Sequence, residues 1–265
     1  MTVSRQSILD SQTLIIDEFK RLRPQLLAAY GTVVHETKDD ASPVTELDVA
    51  VEVSLKEKLL TAFPSFGFKG EETPAVASTS GATWYVDPID GTSSFIHGLP
   101  YCANMAGLVV DGEIVASVIY HFVTDDLYTA IKGEGAYRNG EPIHVREMAL
   151  RDSYVFAGAF PYRHVHGHYE AEGVHFVAPM GASGYFFTRL AQGSIQGVCY
   201  LNGNSKAHDI IPGALLVAEA GGKVVPFRDK PFDYTCLNFM MGTASICDIA
   251  RKHQEEITKL LILAN

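Results

Sequence analysis

Positive charge is scarce in this 265-residue chain: 21 Lys and Arg stand against 31 Asp and Glu, leaving a net charge of −10. That deficit argues against non-specific nucleic-acid binding and against docking on anionic membranes, both of which need clustered Lys and Arg. Cysteine is also scarce. Cys102, Cys199, Cys236 and Cys247 are far apart and form no Cys-x-x-Cys pair, so neither a zinc site nor a disulfide framework is indicated, and buried thiols in a reducing cytosol are expected. Long apolar runs are missing too. Stretches such as Gly213 to Ala218 are far too short to span a bilayer, and Met1 to Asp10 lacks a basic-then-apolar signal pattern. No internal repeat or linker divides the chain. What remains is an ordinary globular composition, 47% hydrophobic and 20% charged, with enough length for a sizeable core and a soluble, cytoplasmic setting.

The densest chemistry lies in Thr83-Trp84-Tyr85-Val86-Asp87-Pro88-Ile89-Asp90-Gly91-Thr92-Ser93-Ser94-Phe95. Trp84 to Val86 form a short β-run that Asp87 and Pro88 are expected to end, since proline has no amide for a sheet ladder. The turn that Pro88 and Gly91 favour then brings Asp90 back beside Asp87, and Gly91-Thr92-Ser93 offers closely spaced amides and hydroxyls. Two carboxylates so close repel unless a cation sits between them, and all-oxygen ligation suits Mg²⁺. The stretch therefore reads as half of a magnesium site with an anion cradle, against the plainer reading of an acidic surface turn.

Elsewhere the pattern is mainly architectural. Ser4 to Tyr30 has helical apolar spacing, with Pro24 allowing at most a kinked helix, and a second helix runs from about Val49 towards Phe63. Ala103–Val110 and Glu113–Tyr120 flank Asp111-Gly112, a hairpin signature, and Leu127 to Ile131 adds a strand. Gly133 to Gly140 is a second hairpin connection without chemistry. Between Arg146 and Met180 the pattern weakens, and His164, His166, His168 and His175 match no standard ligand spacing, so an exposed loop is expected there. Met180 to Gly184 is a glycine turn feeding a helix from Tyr185 to Ala191, and Ile195 to Leu201 is a strand. Ile210 to Ala220 is a helix closed by Gly221-Gly222, with Pro212 in its first turn and Asp209 at or beside its N-cap. Lys223–Val225 and Leu237–Met241 are strands, and Ile246 to Leu263 is a final helix.

Asp87-Pro88-Ile89-Asp90-Gly91-Thr92 following an apolar strand resembles the signature of the inositol monophosphatase family, the magnesium-dependent, lithium-sensitive phosphomonoesterases. Three further elements resemble that family in order: Lys38 with Pro43-Val44-Thr45 and Asp48, then Gly70-Glu71-Glu72, then Asp209 before a small apolar helix ending Glu219-Ala220-Gly221-Gly222. The resemblance covers roughly residues 38 to 250. It implies an α+β chain folded as an αβαβα five-layer sandwich of the inositol monophosphatase and fructose-1,6-bisphosphatase type, usually a homodimer. Residues 1–145 would carry most metal ligands, and residues 146–265 would carry Asp209 and the substrate-contacting loops, in one compact catalytic unit.

The same resemblance implies that Glu71, Asp87, Asp90, Asp209 and the Ile89 carbonyl hold two or three Mg²⁺. Thr92 with Glu71 would orient and deprotonate the attacking water, and Asp90 completes the catalytic set. Lys38 would lie near the site, and Asp48 would bind or orient a metal from its outer layer. Gly91, Thr92 and Ser93 would contact the phosphate, and the turn of Gly181, Ala182 and Ser183 would contact substrate through its backbone. Three positions depart from the family pattern: His208 where Trp is common, Asn202 where the inositol phosphatases carry a sugar-contacting Glu, and Lys206 where they tend to have His. Asn202 and Lys206 nonetheless occupy substrate-contact positions. The expected reaction is hydrolysis of a small phosphate ester, inositol monophosphate or a similar polyol or sugar phosphate. Histidinol phosphate, fructose 1,6-bisphosphate, a nucleotide 3′-phosphate or NADP are alternatives within the family, and a non-catalytic metal- or phosphate-binding module is the alternative outside enzymes.

Overall fold

The computed structural model describes residues 3–37, 43–178, 182–201, 205–228 and 230–263. The Ser4 hydroxyl accepts the Ser7 N–H at 3.0 Å and opens helix α1 (Arg5–Ala29). Pro24 lies within this helix rather than ending it. Its missing N–H forfeits one helical bond, which the burial of Leu22 and Leu26 on either side outweighs. A two-stranded ribbon, β1 (Glu36–Thr37) and β2 (Pro43–Val44), leads to α2 (Glu46–Ala62). Thr45 caps α2, and Asp48 returns a bond from its carboxylate to the Thr45 N–H at 2.8 Å.

The larger sheet has seven strands in sequence order: β3 (Gly67–Lys69), β4 (Ala82–Asp90), β5 (Ala103–Val110), β6 (Glu113–His121), β7 (Asp126–Ile131), β8 (Gly135–Arg138) and β9 (Glu141–Ile143). Only β3 and β4 pair in parallel; every later pair is antiparallel. Asp111 and Gly112 make the β5–β6 turn with φ of 49° and 86°, two left-handed residues that match the twist of the hairpin.

A short helix, α3 (Thr92–Ile96), follows β4. The smaller sheet holds β10 (Tyr154–Ala157), β11 (His175–Val177), β12 (Gly197–Tyr200), β13 (Lys223–Pro226) and β14 (Phe239–Gly242), in the order β11-β10-β12-β14-β13. Its helices are α4 (Ala159–Glu170), α5 (Ser183–Ala191), α6 (Ala207–Glu219) and α7 (Ala244–Leu263).

Three apolar clusters glue five layers together. Phe19, Leu26, Leu55 and Leu59 of α1 and α2 pack with Trp84, Val86 and Tyr120 on one face of the large sheet. Phe187, Leu190, Ile210 and Leu216 of α5 and α6 pack with Met105 and Ile119 on its other face and with Val198 and Met241 of the small sheet. Val165 and Tyr169 of α4 and Ile249 and Ala250 of α7 close the outside of the small sheet with Val155 and Met240. The order is αβαβα. Gly107 lets α6 lie directly on the large sheet, because a Cβ there would collide with Ile211.

Two expectations need correcting. Strand β4 runs through Pro88 to Asp90 rather than stopping at Asp87. The β4–β5 register slips between Asp87 and Asp90, and a bulge is where a residue without an N–H fits a strand. The described part of the segment from Arg146 to Met180, residues 146–178, is not an exposed loop: it contains β10, α4 and β11, with His164, His166 and His168 on α4 and His175 on β11. Its helical signal is weak in isolation, and the burial of Val165 and Tyr169 against the neighbouring layers supplies the stability.

Candidate active site

The bulge at the end of β4 and the first turn of α6 converge. Asn104 Nδ2 donates to the Pro88 carbonyl at 2.5 Å, and the Ile89 N–H turns back on Asp87 Oδ1 at 3.1 Å. This fixes the stretch that carries both acids. Asp209 is the third residue of α6 rather than its cap, and its Oδ2 accepts the Lys206 N–H at 2.6 Å. Capping therefore accounts for one oxygen of Asp209 and leaves Oδ1 free to face the cluster. Ligand-capable oxygens of Asp87, Asp90 and Asp209 lie within 4.8 Å of one another, as do atoms of Glu71, Asp87 and His208.

Glu71 is held in place by a residue that sequence reasoning missed. Glu52, fully buried on α2, accepts the N–H groups of Glu71 at 2.9 Å, Glu72 at 2.8 Å and Thr73 at 2.7 Å, and the Thr73 hydroxyl at 2.5 Å. One carboxylate thus ties down the turn that presents Glu71. A signal was available: Asp48 and Glu52 are one helical turn apart on the face that buries Val51 and Leu55, and a buried acid on an apolar face needs a reason.

The electrostatics are unfavourable as they stand. Asp87 and Asp90 are 3% and 5% exposed, and among the described residues neither has an ion-pair partner. Burial, followed by repulsion from Asp90, Asp209 and Glu71, holds the Asp87 carboxyl well above the usual carboxylate range. Burial, with Asp209 adding to it, pushes Asp90 up to about 8 despite the opposing N–H groups of Gly184 and Ser183. Burial also raises Asp209, which His208 partly offsets, and lowers His208, which Asp209 and Glu71 partly offset. A hard divalent cation removes this penalty, and the donor set of converging carboxylate oxygens is the kind such a cation takes, so these residues fit a metal.

Beside the carboxylates, the Thr92 hydroxyl lies 3.2 Å from Asp48 Oδ1 and 3.0 Å from the Ile89 carbonyl, either of which can accept its proton. The other Asp48 oxygen accepts from the N–H and hydroxyl of Thr45, at 2.8 Å and 2.6 Å. Burial raises Asp48 above its ordinary value. Gly91 turns the chain into α3 with φ of 79°, and a Cβ there would lie 2.6 Å from the Tyr101 carbonyl and 2.8 Å from the Ala182 methyl. Only glycine allows this approach, which sets Ala182 against the turn of Gly91, Thr92 and Ser93. The N–H of Ser183 is given to Asp90 Oδ1 at 3.1 Å, and that of Gly184 to Oδ2 at 2.7 Å. Lys206 Nζ lies 3.1 Å from Glu71 Oε1. Lys38, Gly181 and Asn202 fall outside the described residues.

The comparisons agree with this geometry. A family model described as the inositol monophosphatase family matches residues 8–261. This chain belongs to the inositol monophosphatase family. An inositol-1-monophosphatase of Rhizobium meliloti is 36% identical over 195 residues, covering 70% of this chain and 72% of that protein. A histidinol-phosphatase of Chlorobaculum parvum is 41% identical over 113 residues, covering 43% of this chain and 44% of that one. The solved structure of an IMPase from Thermotoga maritima superposes with a TM-score of 0.84 at 26% identity, over 95% of this chain and 99% of that one. Family membership makes the chain a phosphoric monoester hydrolase and accounts for its five layers. His208 and Lys206 both lie against Glu71, and His208 also lies 3.7 Å from Asp209 Oδ1.

Proposed function

We propose that this member of the family hydrolyses the monophosphate of a small polyol, inositol monophosphate first among them, with Mg²⁺ as its cation. The observation that carries the reading is the convergence of Asp87, Asp90 and Asp209 within 4.8 Å, beside a Thr92–Asp48 hydroxyl–carboxylate pair. A binding module would need the carboxylates but has no use for that pair.

Glu71, Asp87, Asp90, Asp209 and the Ile89 carbonyl would hold the metal. When bound, the cation neutralises phosphate charge and lowers the pKa of water, the chemistry a lone carboxylate cannot supply at neutral pH. The protein's own groups do the rest. Thr92, donating to Asp48, turns its oxygen lone pairs outward to accept a hydrogen bond from the attacking water. Asp48, made more basic by burial, is the terminal proton acceptor. The N–H groups of Gly91, Thr92 and Ser93 face the equatorial phosphoryl oxygens as charge builds in an in-line displacement. No covalent enzyme intermediate is required. The Ser183 and Gly184 N–H groups orient Asp90 and so act one step back from the substrate.

A second substrate, histidinol phosphate, is suggested by the relative of that activity. Phosphate release from a panel of inositol, sugar, histidinol and nucleotide monophosphates with Mg²⁺ tests both. Turnover of none would refute the proposal. Asp90→Asn should abolish release while leaving the fold intact by circular dichroism; an unchanged rate would remove Asp90 from the site. Lithium sensitivity, a homodimer and a cytoplasmic setting are parts of the same proposal, the dimer checked by light scattering.

A further inference from the structure

His208 is the one imidazole, among the described residues, in the carboxylate cluster. Its side chain is only 7% exposed, and its Nε2 lies 3.7 Å from Glu71 Oε2 and 3.7 Å from Asp209 Oδ1. One of its nitrogens is also within 4.8 Å of an Asp87 oxygen. A separation of 3.7 Å is too long for a hydrogen bond, whose heavy atoms sit at about 2.7–3.2 Å. It is close to the spacing of two atoms sharing one cation: bonds of about 2.1 Å at tetrahedral or octahedral angles put neighbouring ligands roughly 3 to 3.5 Å apart. Glu71 is arranged to match. Its Oε1 faces the Lys206 ammonium, its Oε2 faces His208, and the grip of Glu52 on the backbone of the turn fixes where it stands.

We propose that His208 supplies a nitrogen ligand to a divalent cation seated against Glu71 and Asp87, and that this raises the site's affinity for Mn²⁺, Co²⁺ or Zn²⁺ relative to Mg²⁺ above that of an all-oxygen cage. Imidazole nitrogen favours those borderline ions, whereas an all-oxygen cage suits Mg²⁺. A tryptophan, common at this position in the family, could not ligate at all. The proposal rests on the reading of the cluster as a cation site.

Among the described residues, one further group of side chains away from this cluster would take the same ions. His168 and His253 stack at 4.2 Å beside Glu256, with Nε2 and Nδ1 at 3.8 Å and 3.7 Å from its oxygens. The test is therefore made on a His253→Ala protein. Pulsed electron paramagnetic resonance of this protein loaded with Mn²⁺ should show coupling to an imidazole nitrogen, and adding His208→Gln should remove it while Mn²⁺ still binds. Calorimetry should show the ratio of Mn²⁺ to Mg²⁺ affinity falling about tenfold in His208→Gln and in His208→Trp. Bound Mn²⁺ with no nitrogen coupling, or coupling that survives His208→Gln, overturns the ligand assignment and leaves the phosphatase reading standing. Mn²⁺ binding unchanged in Asp87→Asn overturns the cation site itself, and both proposals fall.

Discussion

Two places in this protein bury carboxylates, and they treat them in opposite ways. Glu18 on α1 has a side chain only 1% exposed, yet it is surrounded by cations. Arg21 reaches it through two bonds of 2.8 Å and 2.6 Å, Ser54 donates at 2.5 Å, and Lys58 closes the group from α2. The Arg21 guanidinium, helped by Lys58 and Ser54, holds this carboxyl at about 2 against the cost of its burial. Asp87 and Asp90 are also buried, have no such partners among the described residues, and are pushed the other way. Among the described residues, the chain places counter-charges around Glu18 between two helices and none on Asp87 or Asp90 at the end of β4. The difference marks a place where a cation from solution would supply the balancing charge.

Removing one charge from each place should break the comparison most sharply. Asp87→Asn is expected to lower Mg²⁺-dependent phosphate release on the order of 10³-fold, yet to raise the melting temperature in chelator by relieving repulsion. A fall in that melting temperature would sink the argument. Thr92→Ala should lower kcat on the order of 10²-fold with KM little changed, since the hydroxyl handles a proton and does not hold substrate. Glu18→Gln, the same kind of change on α1, should destabilise by about 2 kcal/mol and leave the turnover of folded protein unaltered, as read by denaturant melts and assays side by side. Glu52→Gln should weaken apparent Mg²⁺ affinity about tenfold through the turn it holds, read by calorimetry.

The two places should also answer pH with opposite signs, the smallest effect of the set. Glu18 drops from 4.5 to about 2 on folding, so its contribution is present above pH 4.5 and is lost as pH falls through about 2. Asp90 rises from 3.8 to about 8, so without metal its contribution is complete below pH 3.8 and is lost as pH rises through about 8. Melting temperature in chelator should decline on both sides, and Mg²⁺ should remove only the decline at high pH. A metal-insensitive decline there would detach the effect from the cluster.

Much of this was legible in the chain. The Asp111-Gly112 hairpin follows from local turn chemistry, and the apolar stripes of α1 and α2 follow from helical period. Asp87 and Asp90 could be paired by spacing, whereas Asp209 lies far along the chain and reached the site only through a family pattern. Glu52 was missed because three of its four partners are backbone N–H groups, which carry no sequence identity. Helix α4 was missed because its stability comes from contact with α7 and β11 rather than from its own composition. Pro88 misled because the rule against proline in strands is relaxed at a bulge.

The carboxylates of the cluster have spent part of their accepting capacity on the main chain. Ile89 takes one lone-pair direction of Asp87, Ser183 and Gly184 take two of Asp90, and Lys206 takes one of Asp209. A carboxylate has about four such directions. What remains is aimed before any ion arrives, so the cage has little freedom to rearrange around an incoming guest. An ion whose size and geometry suit those fixed directions is therefore favoured, on top of any preference that the identity of the ligand atoms imposes.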